Sequence, residues 1–268
     1  MGKRGNSVRR NGLIPLQSRY VYGPIDSRRL GNSLGINPFP LGKKICSFNC
    51  IYCQYGFTTA GIFSDGKAKN GFPDIETLKF SLSTKLKNLK ESGIKLDFIT
   101  FAGNGEPTLY PEFPRLVDAV KELRDEYYPG AKTAILSNST LAIFPKIREG
   151  LNRLDERIMK LDVGTEELLR RVNDPVDRMT LQEIITGLKE LKDCILQSLF
   201  IKGSASNSDD DSVMEWIEAV RLVRPKFVQV YSIDRVPADR GIEIVEREEL
   251  EEIARRLTAE TGTPSGVY

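Results

Sequence analysis

The chain is 268 residues long, 40% hydrophobic and 28% charged, with a formal net charge of +2 and no histidine. That is enough apolar material for one sizeable core, and no run approaches the roughly 18 apolar residues of a membrane span. Three of the four cysteines crowd together instead of forming a disulfide framework, and no apolar stretch follows the basic N-terminus. A cytoplasmic protein without a secretory signal is therefore expected.

In chain order, residues 1–19 read as a basic leader and residues 20–268 as one core domain. Within residues 1–30, Lys3, Arg4, Arg9, Arg10, Arg19, Arg28 and Arg29 face a single acid, Asp26. Such charge suits a phosphate backbone or another anionic partner, and equally a solvated leader. The first strand is expected at 33–37, ahead of the cysteines. Apolar runs at 96–101, 133–136, 157–163, 194–201 and 227–233 each end in glycine or polar residues and give five more. Helical spacing links Phe113, Leu116, Val117, Val120 and Leu123, then Leu181, Ile184, Ile185, Leu188 and Leu191. Trp216, Ile217 and Val220 give a third stripe, entered through the acids Asp209, Asp210 and Asp211, and Leu250, Ile253, Ala254 and Leu257 a fourth. Strands alternating with helices imply a parallel sheet with right-handed crossovers. Six units fall short of the eight of a closed barrel, so the expected fold is α/β, a partial (β/α)6 barrel in a single domain.

Cys46, Cys50 and Cys53 stand in the order Cys-x3-Cys-x2-Cys. Clustered thiolates select zinc, copper(I) or iron–sulfur clusters. A lone zinc wants four ligands, usually more Cys or His, and here there is no histidine and the remaining Cys194 lies far along the chain. Three thiolates alone suit a cubane cluster whose fourth iron keeps an open position, a place to bind and activate something. Cys194 begins the fifth expected strand, at the end opposite the site, and reads as a small buried hydrophobe.

The spacing of Cys46, Cys50 and Cys53, with Tyr52 just before the last, resembles the signature of the radical S-adenosylmethionine (radical SAM) superfamily. The resemblance implies a 4Fe–4S cluster whose open iron takes S-adenosyl-L-methionine, one-electron cleavage to methionine and a 5′-deoxyadenosyl radical, and hydrogen-atom abstraction from a substrate. It also implies an external one-electron donor, flavodoxin- or ferredoxin-like, and sets Tyr52 against the adenine. Gly105-Glu106 resembles the Gly-Gly-Glu element that touches the cofactor's amino group, although Asn104 replaces the first glycine. Glycine permits close backbone approach, and a carboxylate accepts from an ammonium. The same residues also suit a helix start, with Glu106 just ahead of Pro107. Asn138 follows the third strand, and Lys160 and Asp162 lie two apart on the fourth, on one side of the sheet. By position in the superfamily, these three are expected at the cofactor, the last two at its carboxylate and ribose hydroxyls. A structural Lys160–Asp162 ion pair is the competing reading. Gln229, Tyr231, Asp234 and Arg235 end the sixth strand, within reach of adenine or substrate.

The segment from Tyr20 to Gly35, with 103–111 and 160–165, further resembles a family of small prokaryotic iron–sulfur oxidoreductases grouped loosely with wyosine-base synthases of transfer RNA. That resemblance spans residues 20–268. The lateral opening of a partial barrel and Arg28 and Arg29 just ahead of it favour a macromolecular substrate, RNA or protein, over a small metabolite. Two rival functions remain in view: an iron–sulfur electron carrier or scaffold, and a zinc-stabilised RNA-binding module using the basic arm. Cleavage of S-adenosylmethionine separates the enzyme from both.

Overall fold

The computed structural model describes residues 12–58, 71–176 and 178–268. The chain enters its sheet as an antiparallel hairpin, β1 (Val21–Ser27) and β2 (Gly31–Ile36). Gly35 pairs with Tyr22, and a Cβ there would fall 2.2 Å from the Tyr22 ring, so only glycine leaves that face to the ring. From β2 the sheet grows by parallel addition in sequence order: β3 (Phe98–Phe101), β4 (Lys132–Ser137), β5 (Glu156–Lys160), β6 (Ile195–Gly203) and β7 (Phe227–Ser232). With β2 these are the six expected strands. A short β8 (Ile242–Ile244) pairs antiparallel with the end of β6, and β9 (Ser265–Val267) adds parallel to β7. The sheet runs from β1 at one edge to β9 at the other, an open partial barrel.

Seven helices lie between the strands among the described residues: α1 (Ile75–Glu91), α2 (Phe113–Tyr127), α3 (Pro145–Asn152), α4 (Glu166–Leu168), α5 (Leu181–Lys189), α6 (Asp210–Val223) and α7 (Arg247–Thr261). The expectation omitted α1, although Leu78, Leu82, Leu86 and Leu89 bury one of its faces and Asp74 caps it by accepting from the Thr77 N–H at 2.7 Å. Each leucine so buried contributes about 1.5–3 kcal/mol. On α6, Trp216 is fully buried, donates Nε1–H to the Leu161 carbonyl at 3.0 Å and meets Phe200 edge-on at 4.9 Å. Gly164 permits this contact, because a Cβ there would lie 2.1 Å from the Glu215 carbonyl carbon. Among the described residues no helix is long and apolar enough to cross a membrane.

Alternation along the strands separates two chemistries. Met159, Leu196, Val228 and Val230 join the apolar core, while Lys160, Gln197 and Gln229 stand in register on the opposite face. Strand β5 was expected to run to 163 and instead ends at Lys160. Beyond it, side chains replace the ladder: the Asp162 carboxylate accepts the Leu199 N–H at 2.8 Å, and Asn207 Nδ2 donates to the Asp162 carbonyl at 2.8 Å. Asp162 thus leaves the sheet at the C-terminal end of the strands, where sites of β/α barrels are built.

Candidate cofactor site at the strand ends

The cysteine loop follows β2 and is held by its backbone on two sides. Ile45 N–H donates to the Asn104 carbonyl at 2.8 Å, and Glu106 N–H returns to the Ile45 carbonyl at 3.0 Å. On the other side, Asn49 N–H is shared by the carbonyls of Asn173 and Asp174, both at 2.9 Å, and Ile51 N–H reaches the Val172 carbonyl at 3.1 Å. The thiols are free, Cys50 buried and Cys46 and Cys53 partly so. Burial pushes the Cys50 thiol up to about 11 and raises Cys46 further, with neighbouring Cys side chains adding to both. Without a cation among them the thiols stay protonated; a bound metal reverses that preference outright. Among the described residues no three His, Cys, Asp or Glu side chains form a ready single-ion site. Three soft sulfur donors in one loop, with side-chain amides on two of them, fit a thiophilic metal group.

Glu106 is 1% exposed and heavily engaged. Its Oε1 accepts from Thr108 N, Thr108 Oγ1 and Ser137 Oγ at 3.0, 2.6 and 2.8 Å, and its Oε2 from Asn138 N at 2.6 Å. It caps a 3-10 turn, Pro107–Leu109, so the helix-start reading holds for this residue. Asn104, in the place of a glycine, spends its amide on the Gln17 backbone: it accepts from Gln17 N at 2.7 Å and donates to Gln17 O at 3.0 Å. Residues 14–17, inside the expected leader, are thereby fixed to the core, with Ile14 N–H on the Gln54 carbonyl at 2.9 Å.

Asn138 lies beside the first cysteine. Its Oδ1 accepts from Thr140 N and Oγ1, and its Nδ2 donates to Ser47 Oγ at 2.9 Å and Cys46 Sγ at 3.6 Å. The next residue, Ser139, holds a left-handed backbone at φ +75°, strain of the kind stored at functional sites.

Of the remaining expected residues, Tyr52, Lys160 and Tyr231 meet around Asp162, which is 2% exposed, while Gln229 bonds Gln197 and Asp234 pairs with Arg28. Lys160 Nζ lies 3.2 Å from its Oδ1, while Tyr52 OH donates to Oδ2 at 2.5 Å. Lys160 also donates to Tyr231 OH at 2.7 Å and sits 4.9 Å from the Tyr52 ring centre. Burial alone would favour a neutral amine, but Asp162 and Tyr231 hold the Lys160 ammonium above its ordinary pKa. Burial and Asp162 likewise keep the Tyr52 phenol protonated. The structure therefore gathers Tyr52, Lys160, Asp162 and Tyr231 into one network and Gly105, Glu106 and Asn138 into another, both against the cysteine loop.

Sequence reasoning missed Asn173, buried at the end of a π-helical turn, Leu169–Asn173, and donating to Asp162 Oδ2 at 2.7 Å. Nothing in Asn173-Asp174-Pro175 signals more than a turn. Of the basic residues, Arg28 pairs with Asp234 at 3.1 Å, and Arg29 stacks on Tyr231 at 4.7 Å. Lys3, Arg4, Arg9 and Arg10 lie outside the described residues.

A parallel partial barrel with a three-cysteine loop at its strand ends defines the radical SAM class, and the description of the Radical SAM superfamily matches residues 43–217. The chain belongs to that superfamily of enzymes, and within it to the UPF0026 proteins: it is 30% identical over 234 residues to the UPF0026 protein of Helicobacter pylori strain J99, covering 85% of this chain and 70% of that one. It is also 28% identical over 250 residues to a Brachyspira hyodysenteriae protein named GTPase Obg, covering 91% of this chain but only 34% of that longer relative. Among solved structures, TYW1 with a lysine–pyruvate adduct bound superposes with a TM-score of 0.58 at 17% identity, over 85% of this chain and 74% of that one. At that identity the likeness concerns the fold.

Proposed function

We propose that the chain cleaves S-adenosylmethionine reductively and uses the 5′-deoxyadenosyl radical to take a hydrogen atom from a substrate. Cys46, Cys50 and Cys53 hold a 4Fe–4S cluster, and S-adenosylmethionine takes the open iron. When bound, that pair supplies the electron and the radical; the protein supplies orientation, electrostatics and exclusion of water. The observation that carries the reading is the backbone splice between Ile45 and Gly105-Glu106, which fixes a buried carboxylate beside the first thiol.

Among the described residues Glu106 Oε2 accepts only from the Asn138 N–H, which leaves it a lone pair for the cofactor's ammonium. Lys160 offers a positive charge to its carboxylate, and Tyr52 packs against its adenine. Asp162 and Asn138 complete the cofactor's surroundings, Asp162 by exchanging one present donor for a ribose hydroxyl. With no histidine in the chain, a later proton transfer falls to Tyr, Lys or a carboxylate. The electron comes from a flavodoxin- or ferredoxin-like donor in the cytoplasm. The substrate class this reading favours is RNA or protein.

Anaerobic reconstitution tests this directly. About four iron and four sulfide should bind per chain, as for a cubane cluster, and the reduced protein should release 5′-deoxyadenosine and methionine. Replacing Cys46, Cys50 or Cys53 with alanine should each abolish the cluster, whereas Cys194→Ala should retain it. A stable holoprotein with one zinc and no iron would overturn the reading.

A further inference from the structure

Two carboxamides beside the cysteines have no freedom to turn. Asn138 Oδ1 accepts from the Thr140 N–H at 3.1 Å, a group that only donates, so Nδ2 must face Ser47 and Cys46. Asn173 Nδ2 stands 2.7 Å from Asp162 Oδ2, a carboxylate that only accepts, so nitrogen rather than oxygen faces Tyr52 OH at 3.0 Å and Cys50 Sγ at 3.6 Å. The two hydrogens of Asn173 thus serve three acceptors. One goes to Asp162, and the other is shared between Tyr52 and Cys50. A metal-bound cysteine is a thiolate, and a charged acceptor attracts an N–H more strongly than a thiol or phenol does. Asn173 also moves with the loop it serves, since its own carbonyl accepts the Asn49 N–H at 2.9 Å and π-helical turns of this kind recur at functional sites.

We infer that Asn138 and Asn173 are positioning residues that set amide N–H bonds on the sulfurs of Cys46 and Cys50 and thereby raise the reduction potential of the bound cluster. This rests on the proposal that the three cysteines hold an iron–sulfur cluster. An N–H dipole aimed at a ligand sulfur stabilises the extra electron of the reduced state, and such bonds are among the factors that set iron–sulfur potentials. The set is asymmetric: among the described residues, no side-chain N–H reaches Cys53 Sγ.

The test compares reconstituted wild type with Asn138→Leu, Asn173→Leu and Asn49→Leu by iron content and by potentiometric titration followed by electron-spin resonance, without S-adenosylmethionine. Asn49 is the control, because its amide lies in the same loop but donates to Asp174 at 3.1 Å, not to sulfur. Asn138→Leu and Asn173→Leu should each load iron and shift the midpoint to more negative values, and the double variant should shift it further. Asn49→Leu should leave it in place. Should one asparagine variant fail to load, the other alone decides, because the two act on different cysteines. Wild-type midpoints in the iron-loaded variants would overturn the inference while leaving the cluster standing. A negative shift in Asn49→Leu as large as in the others would also overturn it, by making the effect one of loop integrity. A wild type that binds no iron–sulfur cluster would instead remove the reading beneath it.

Discussion

Gly105 and Ile45 approach so closely that a Cβ on Gly105 would lie 1.5 Å from the Ile45 carbonyl oxygen. That carbonyl accepts the Glu106 N–H, and the two segments form an extra parallel bridge outside the main sheet. Glycine at 105 is therefore required by the loop that carries the cysteines, before any cofactor is considered. The geometry of Cys46 and that of Glu106 are one problem.

Gly105→Ala should part the two segments. The expected cost is about 2–4 kcal/mol of unfolding free energy, the range for a change that forces backbone apart, together with loss of iron binding on reconstitution. Gly42→Ala is a fair comparison, since a Cβ at Gly42 meets nothing within 4 Å and its φ of +74° leaves only conformational strain. Wild-type stability and iron content in Gly105→Ala, read by urea unfolding and metal analysis, would contradict the splice.

Glu106 gives a pH signature. Burial pushes its carboxyl above the usual carboxylate range, against the pull of donors from Thr108, Asn138 and Ser137. The folded protein then holds the proton more tightly than the unfolded chain, so this group's contribution to stability falls as pH rises through the raised pKa. An ammonium ligand favours the ionised form, so affinity for S-adenosylmethionine should tighten with rising pH over the same window. Glu106→Gln should flatten that dependence and weaken binding about ten- to hundredfold, the ~1.5–3 kcal/mol of a hydrogen bond to a charged group. Calorimetry on cluster-loaded protein at several pH values reads both effects, and unchanged affinity would remove Glu106 from the cofactor's partners.

How far these relationships could be read beforehand differs by element. Five of the six parallel strands were legible as short apolar runs ending in glycine or polar residues, whereas β2 was placed by the need for a strand ahead of the cysteines. The helix α1 is equally written in Leu78, Leu82, Leu86 and Leu89; β8 and β9 are only three residues each, and β1 is broken by Gly23-Pro24 and a register shift between Tyr22 and Ile25, so it carries no clear alternation. Cys46, Cys50, Cys53 and Gly105-Glu106 stood out because they are close in sequence. Asn173 did not, because its partners Cys50, Tyr52 and Asp162 are brought to it by tertiary contact and its π-helical turn has no local signature. The role of Asn104 was hidden for the same reason, its partner Gln17 being far away in the chain.

Asp162 has no spare acceptor in this network. Oδ1 is taken by Leu199 N and Lys160 Nζ, and Oδ2 by Tyr52 OH and Asn173 Nδ2. Asp162→Asn removes the charge that keeps Lys160 protonated inside the barrel, so the Lys160 pKa should fall. Breaking one side of a buried pair typically costs ~3–5 kcal/mol, and a loss near that size is expected in denaturant unfolding. Lys160→Met in the same background should restore part of it, because the stranded charge is gone. A double-mutant cycle measures that coupling; strict additivity of the two changes would show that the pair contributes nothing as a pair.

Arg28 and Arg29 separate in the structure although they adjoin in sequence. The Arg28–Asp234 pair is open to water, with side chains 64% and 61% exposed, so Arg28→Ala should cost no more than about 1 kcal/mol. Arg29 packs its guanidinium 4.7 Å from the Tyr231 ring centre and 5.9 Å from that of Tyr268, tying the β1–β2 turn to β7 and to the residue after β9. Arg29→Ala should therefore lower thermal stability by more than Arg28→Ala, with about 0.5–2 kcal/mol from the stacked cation alone. If the leader holds RNA, the salt dependence of binding should reside in Arg9 and Arg10 and survive both of these changes, since each released phosphate counterion comes from a contact made there. Thermal melts of the single variants, beside salt titrations of RNA binding with Arg9→Ala and Arg10→Ala, decide the matter. A salt slope that drops with Arg29→Ala while the melting temperature holds would assign Arg29 to the nucleic acid instead of to the barrel.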